Sequence, residues 1–255
     1  MLMPRHKLTI VALLVLLVLA LVLPAGVANA TQLSTPDIDD VRALEDFFDG
    51  LAAAQRDAFP VAGMTISVVK DGELLFAKGY GYADVENQIP VEADETLFRP
   101  GSVSKLFVWT AMMQQVEAGT LELDTDVNEY LDFQIPNTFE QPITLRHLMT
   151  HTSGFEDQGL GLYVRSADEA APLGDYLAQN MPERVFPPGE IIAYSNYGAS
   201  LAAYIVQRVT GVPFYEYVEQ NIFQPLGMED STFRQPVPPD LRNDLSHGYL
   251  YQQGR

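Results

Sequence analysis

Gly101-Ser102-Val103-Ser104-Lys105 opens a run of helix formers that continues to Ala118, and Gly119 stands where a helix C-terminal cap would. Val103, Leu106, Phe107, Val108, Trp109, Ala111, Met112, Met113, Val116 and Ala118 leave this segment almost no polar face. A helix apolar nearly all round is expected to be buried. Lys105 falls in its first turn, where a buried ammonium must be paired or have its pKa pushed down. Ser102, three residues earlier, shares its helical face. A hydroxyl, an amine and a helix N-terminus that favours negative charge therefore meet at one point, the ingredients of an activated serine nucleophile. An S-x-x-K is common by chance, and its ordinary reading is a helix-capping serine beside a lysine that reaches back to water.

A second candidate is Tyr194-Ser195-Asn196, which follows Pro187-Pro188-Gly189-Glu190 and precedes a predicted helix. Its ordinary reading is a helix cap at Ser195 or Asn196, with Tyr194 filling a groove. Its functional reading puts Tyr194 near Lys105, where an ammonium would lower the phenol pKa, and Asn196 where its amide can hold a substrate amide. His147 and His151 have the spacing of two metal ligands on one helix face, but position 148 is leucine, where a zinc protease carries glutamate one residue after its first histidine. They read as structural histidines, and no metal or other cofactor is implied. There is no G-x-S-x-G elbow, and the scattered carboxylates suggest no glycosidase pair.

Upstream of Ser102, apolar residues recur at three- and four-residue spacing from Asp37 to Ala58 (Val41, Leu44, Phe47, Phe48, Leu51), predicting a helix capped by Asp37 or Asp39. Gly63 to Lys70 alternates as a strand, Asp71-Gly72 is a hairpin turn, and Glu73 to Gly81 reads as the returning strand. Residues 82 to 101 read as a loop. Downstream, helices are predicted near Val127 to Leu131, Leu145 to Thr150, Asp168 to Met181, Asn196 to Val209 and Phe214 to Phe223. A lone hairpin is rarely stable, so the sheet is either very small or incomplete within these residues.

The first thirty residues read separately. Arg5 and Lys7, the apolar run Leu8 to Leu23 and Ala28-Asn29-Ala30 form a secretory signal pattern, with an uncleaved membrane anchor as the alternative. Residues 31–37 read as a linker and 38–255 as one domain. The 255-residue chain is 47% hydrophobic, ample for a core, and has 15 Lys and Arg against 34 Asp and Glu. Its net charge of −19 becomes −21 (−19 − 2) once Arg5 and Lys7 are removed with the signal segment. Such a chain repels phosphate backbones and anionic membrane surfaces, so nucleic acid is not an expected partner. With no cysteine, disulfides, thiol catalysis and thiolate metal sites are excluded.

In order along the chain stand Phe98-Arg99-Pro100-Gly101-Ser102-Val103-Ser104-Lys105, Leu148-Met149-Thr150-His151-Thr152-Ser153-Gly154, Pro188-Gly189-Glu190 leading to Tyr194-Ser195-Asn196, and Pro225-Leu226-Gly227-Met228. Together, from about Gly63 to Phe233, they resemble the serine β-lactamase-related family: class C β-lactamases, D-alanyl-D-alanine carboxypeptidases and related esterases. The resemblance implies an α+β fold, with an antiparallel sheet flanked by helices plus an all-helical subdomain and the site between them. It implies that Ser102 attacks a carbonyl to form an acyl-enzyme, that Lys105 and Tyr194 share the proton transfers, and that Asn196 holds the substrate amide. Small molecules or peptidoglycan peptides are the implied substrates. The family's third motif, Lys-Thr-Gly or His-x-Gly on a strand lining the site, has no counterpart; His247-Gly248-Tyr249 reads as loop. The chain is therefore expected to stop before the second half of the sheet. The alternative to an exported hydrolase is a non-catalytic cell-wall-binding or scaffolding protein of the same fold.

Overall fold

The computed structural model describes residues 38–157, 164 and 166–251. The predicted signal segment and the 31–37 linker lie outside them. The first helix, α1, spans Val41–Ala58 and buries Leu44 and Ala52. Its cap is Asp40, not Asp37 or Asp39: the Asp40 carboxylate accepts from the Arg42 and Ala43 amides at 3.0 and 3.2 Å. Asp37 lies outside the described residues. Asp40→Ala is expected to cost about 1 kcal/mol, read as a lower urea midpoint.

Strands β1 (Gly63–Lys70) and β2 (Glu73–Asp84) form the antiparallel hairpin, pairing Gly63 with Gly81 through to Lys70 with Glu73. Asp71 and Gly72 turn it with φ of 51° and 83°, the left-handed pair that suits a two-residue loop. Helix α1 packs on β2 with Phe48 stacked on Phe76 at 5.4 Å. Lys78 of β2 is hydrogen-bonded to Glu45 and Asp49 of α1. The expected end of the strand at Gly81 is too early. Residues 82–84 continue β2 and pair with a short third strand, β3 (Ile89–Pro90), so the 82–101 stretch is not all loop. That pairing is carried by backbone contacts across a turn, which side-chain alternation does not report.

The remaining strand-free part has these α-helices among the described residues: α2 (Lys105–Glu117), α3 (Leu145–Met149), α4 (Leu173–Gln179), α5 (Asn196–Thr210), α6 (Phe214–Val218) and α7 (Pro239–Arg242), joined by turns and loops. Helix α5 is the centre, with Leu201, Ala202, Ile205 and Val206 fully buried. It packs against Val108, Ala111 and Met112 of α2 and Leu145 and Leu148 of α3. Val127 to Leu131 reduces to one 3-10 turn, Val127–Glu129. Asp168 to Met181 is no single helix: Pro172 breaks it, leaving a 3-10 turn at Ala167–Glu169 before α4. Phe214 to Phe223 divides as well, α6 widening at Val218 into a π-turn, Glu219–Phe223.

Beyond that turn, Arg234 clamps Glu219, with Nη2 2.7 Å from Oε2, and Phe233 packs on Phe107, Phe214 and Phe223. The Arg234 guanidinium holds the Glu219 carboxyl below its ordinary value. A depressed carboxylate pKa contributes stability above the unfolded value that is lost as pH falls through the folded one. Glu219→Gln is thus expected to lower stability by about 1–2 kcal/mol at pH 7. The deficit should shrink as pH drops below the ordinary glutamate value of about 4.3, as paired urea titrations would show.

Candidate active site

The Ser102 segment is built differently from one continuous helix. Gly101–Ser104 is a 3-10 turn, and the α-helical bonding starts at Lys105. Burial is also one-sided. Val108, Ala111 and Met112 are buried, whereas Val103 and Leu106 are 59% and 62% exposed. The expectation of a helix buried all round is therefore corrected: α2 packs one stripe on α5, and among the described residues nothing covers the other. Ser102 sits at the accessible end of this helix.

Tyr194 reaches Ser102 through a backbone splint. The Val185, Gly189 and Ala193 amides donate to the carbonyls of Gly154, Thr152 and His151, each at 2.8 Å. The His151-Thr152-Ser153-Gly154 loop thus lays residues 185–193 along itself and delivers Tyr194 to the mouth of α2. Ser195 then caps α5, its hydroxyl accepting from the Gly198 amide at 3.0 Å. The capping reading of Ser195 holds, and the cap fixes Asn196 at the first position of α5.

These elements bring all four candidate residues together. Lys105 Nζ donates to Ser102 Oγ at 3.2 Å and to Asn196 Oδ1 at 2.8 Å, so the ammonium is paired. The Tyr194 hydroxyl donates to Ser102 Oγ at 2.7 Å. Lys105 Nζ also lies 4.8 Å from the Tyr194 ring centre. Burial pushes the Tyr194 phenol up, but the Lys105 ammonium and the Ser102 hydroxyl outweigh it, and the phenol lies below its ordinary value. A cleft of about 420 Å³ runs from Ser102 and Lys105 past Asn196 to Leu173, Phe214 and Phe233. One wall is polar and the rest mostly apolar, so a small organic group can sit against the serine oxygen.

The two histidines do separate work. His147 Nδ1 accepts from the Thr144 amide at 3.2 Å and closes the N-terminus of α3. His151 lies against Tyr194, with ring centroids 4.4 Å apart. His151 is thus a neighbour of the site that the sequence reading left as structural; the signal available was its place in the loop before Tyr194. His247 lies apart from the cluster. Its amide donates to Ala83, and its Nδ1 is 3.6 Å from Asp84. Residues 247–249 have no regular structure, as the loop reading had it. Among the described residues no further strand follows β3, and no helix is long and apolar enough to cross a membrane.

The chain is similar in sequence and fold to known proteins. The Beta-lactamase family model matches residues 48–252. The chain belongs to the β-lactamase family. It is 34% identical over 208 residues to esterase EstB of Burkholderia gladioli, covering 76% of this chain and 52% of that protein. It is 34% identical over 175 residues to a D-aminopeptidase of Gluconobacter oxydans, covering 67% of this chain and 32% of that one. Among solved structures, the octameric penicillin-binding protein homologue from Pyrococcus abyssi superposes with a TM-score of 0.68 at 31% identity, over 84% of this chain and 49% of that chain. This β-lactamase-family chain therefore has the α+β fold of its relatives over the part it shares. It spans between a third and about half of the length of the two curated relatives.

Proposed function

We propose that this β-lactamase-family chain is an exported serine hydrolase, acting through an acyl-enzyme on an amide, β-lactam or ester carbonyl. One observation carries the reading: Ser102 Oγ lies within hydrogen-bond distance of both Lys105 and Tyr194. Ser102 attacks the carbonyl carbon, and its proton passes to whichever of Lys105 and Tyr194 is deprotonated. The Lys105 ammonium and the Ser102 hydroxyl lower the phenol pKa and so favour a Tyr194 phenolate. The proton is then given to the leaving amine or alcohol. Lys105 in turn fixes the Asn196 side chain, whose amide hydrogen-bonds the substrate. The Ser102 amide, at the first turn, supplies one donor to the developing oxyanion.

Water then attacks the acyl-serine, with the same pair accepting its proton; the ester bond to Ser102 Oγ breaks, that proton returns to the serine oxygen, and the acid is released. The three relatives support the range of carbonyls, being named for ester, D-amino-peptide and penicillin chemistry. The basic start, apolar run and Ala28-Asn29-Ala30 support export, with cleavage after Ala30. A non-catalytic wall-binding protein has no need of a lysine and a tyrosine converging on one serine oxygen, so the hydrolase is favoured. The test is a panel of a chromogenic ester, a D-amino-acid anilide and a chromogenic cephalosporin, run with the chain and with Tyr194→Phe. Turnover of at least one substrate, slowed in the variant, is expected. Equal rates in both proteins would overturn the assignment of Tyr194.

A further inference from the structure

Resting on the hydrolase reading of Ser102, we propose that His151 is a positioning residue that holds Tyr194 against Ser102 and Lys105, and that it does so as the neutral imidazole. His151 grips three consecutive residues. Its carbonyl accepts from the Ala193 amide at 2.8 Å, its ring lies on Tyr194, and its Nδ1 accepts from the Ser195 amide at 3.3 Å. The ring is tilted 34° to that of Tyr194, and Trp109 of α2 meets it edge-on at 6.0 Å. The imidazole is thus clamped between the helix that carries Lys105 and the tyrosine that must face it. His151 adopts φ of 54°, a left-handed conformation that costs a non-glycine residue about 1 kcal/mol or more. Glycine would relieve that strain but would supply neither the ring nor the acceptor.

The hydrogen bond fixes the protonation state. To accept from an amide, Nδ1 must present a lone pair, which places the ring proton on Nε2. An imidazolium would set an N–H against the Ser195 N–H and add a positive charge beside Lys105. The groups that face the ring agree with a neutral form. Burial lowers the His151 pKa, the Lys105 ammonium lowers it further, and Asp157 opposes them. Trp109 contributes an uncharged ring, and Tyr194 contributes a neutral phenol that donates to Ser102. His151 therefore stays neutral above its ordinary value of about 6.5 and charges only at more acid pH.

Tyr194 is the reporter that separates positioning from a structural role. Its phenol lies below the ordinary value because Lys105 and Ser102 are beside it. Chain labelled with 13C at the tyrosine Cζ is titrated by NMR as wild type, His151→Ala and His151→Asn. In His151→Ala, Tyr194 should drift from Lys105 and titrate closer to an ordinary phenol. His151→Asn, which keeps a side-chain oxygen acceptor and tolerates the left-handed backbone, should restore part of the shift. The rate of Ser102 acylation by a fluorophosphonate should fall by about 10- to 100-fold in His151→Ala at pH 8. The ratio of wild-type to variant rates should narrow as pH falls through the His151 titration. Unchanged Tyr194 titration in a folded His151→Ala would overturn the proposal, as would a rate ratio that does not vary with pH. Absence of acylation in the wild type would count against the hydrolase reading alone, because the Tyr194 titration still decides whether His151 positions that ring.

Discussion

Ser102→Ala is expected to lower hydrolysis of any substrate the chain turns over by about 10³- to 10⁶-fold while leaving the fold intact. The expected loss is large because the hydroxyl is the nucleophile of the acylation step on which the proposed mechanism depends. The remaining parts, the Ser102 amide and Asn196, bind the carbonyl but form no bond to it. The substitution removes one exposed oxygen that accepts two hydrogen bonds, from Lys105 and Tyr194. Tyr194 is 43% exposed, so water can replace the lost partner. The urea midpoint should therefore move little, and the KM-independent loss would be assigned to chemistry. A variant that retains more than about a tenth of wild-type turnover would mean that another group does the attack.

Gly154→Ala is expected to destabilise the protein by about 3 kcal/mol or more, and to do so through the same loop that delivers Tyr194. Gly154 has φ of 78°, which strains any residue with a Cβ. A Cβ there would stand 1.9 Å from the Phe186 carbonyl oxygen, so the 185–193 segment must be pushed away. That displacement would break the Val185 to Gly154 hydrogen bond and loosen those from Gly189 and Ala193. The expected result is a lower urea midpoint together with slower acylation of Ser102. A Gly154→Ala protein with wild-type stability would show that the splint does not hold this segment as described.

Much of this was legible in the chain. The hairpin was readable because Asp71-Gly72 needs two left-handed residues and its flanks alternate. The candidate site was readable because the stretches that hold Ser102, Lys105, Tyr194 and Asn196 resemble, in order, the motifs of one family. Their convergence was not derivable from spacing alone, since 91 residues separate Lys105 from Asn196. It depends on backbone bonds between 151–154 and 185–193, which leave no side-chain pattern. The one-sided exposure of α2 was missed for a related reason: an apolar stretch reports what could be covered, not what covers it. Pro172 is a visible breaker, and it divides the helix expected from Asp168 to Met181. The role of His151 was hidden because it rests on one ring nitrogen and one ring face, which any histidine carries.

The central claim is that Ser102 is a nucleophile activated by Lys105 and Tyr194. Its most direct measurement is mass spectrometry of the chain after incubation with a fluorophosphonate or a penicillin. The account predicts a single covalent adduct on the peptide that contains Ser102, absent in Ser102→Ala and slowed in Tyr194→Phe. A folded chain that gives no adduct with either reagent, or an adduct that persists in Ser102→Ala, would contradict it.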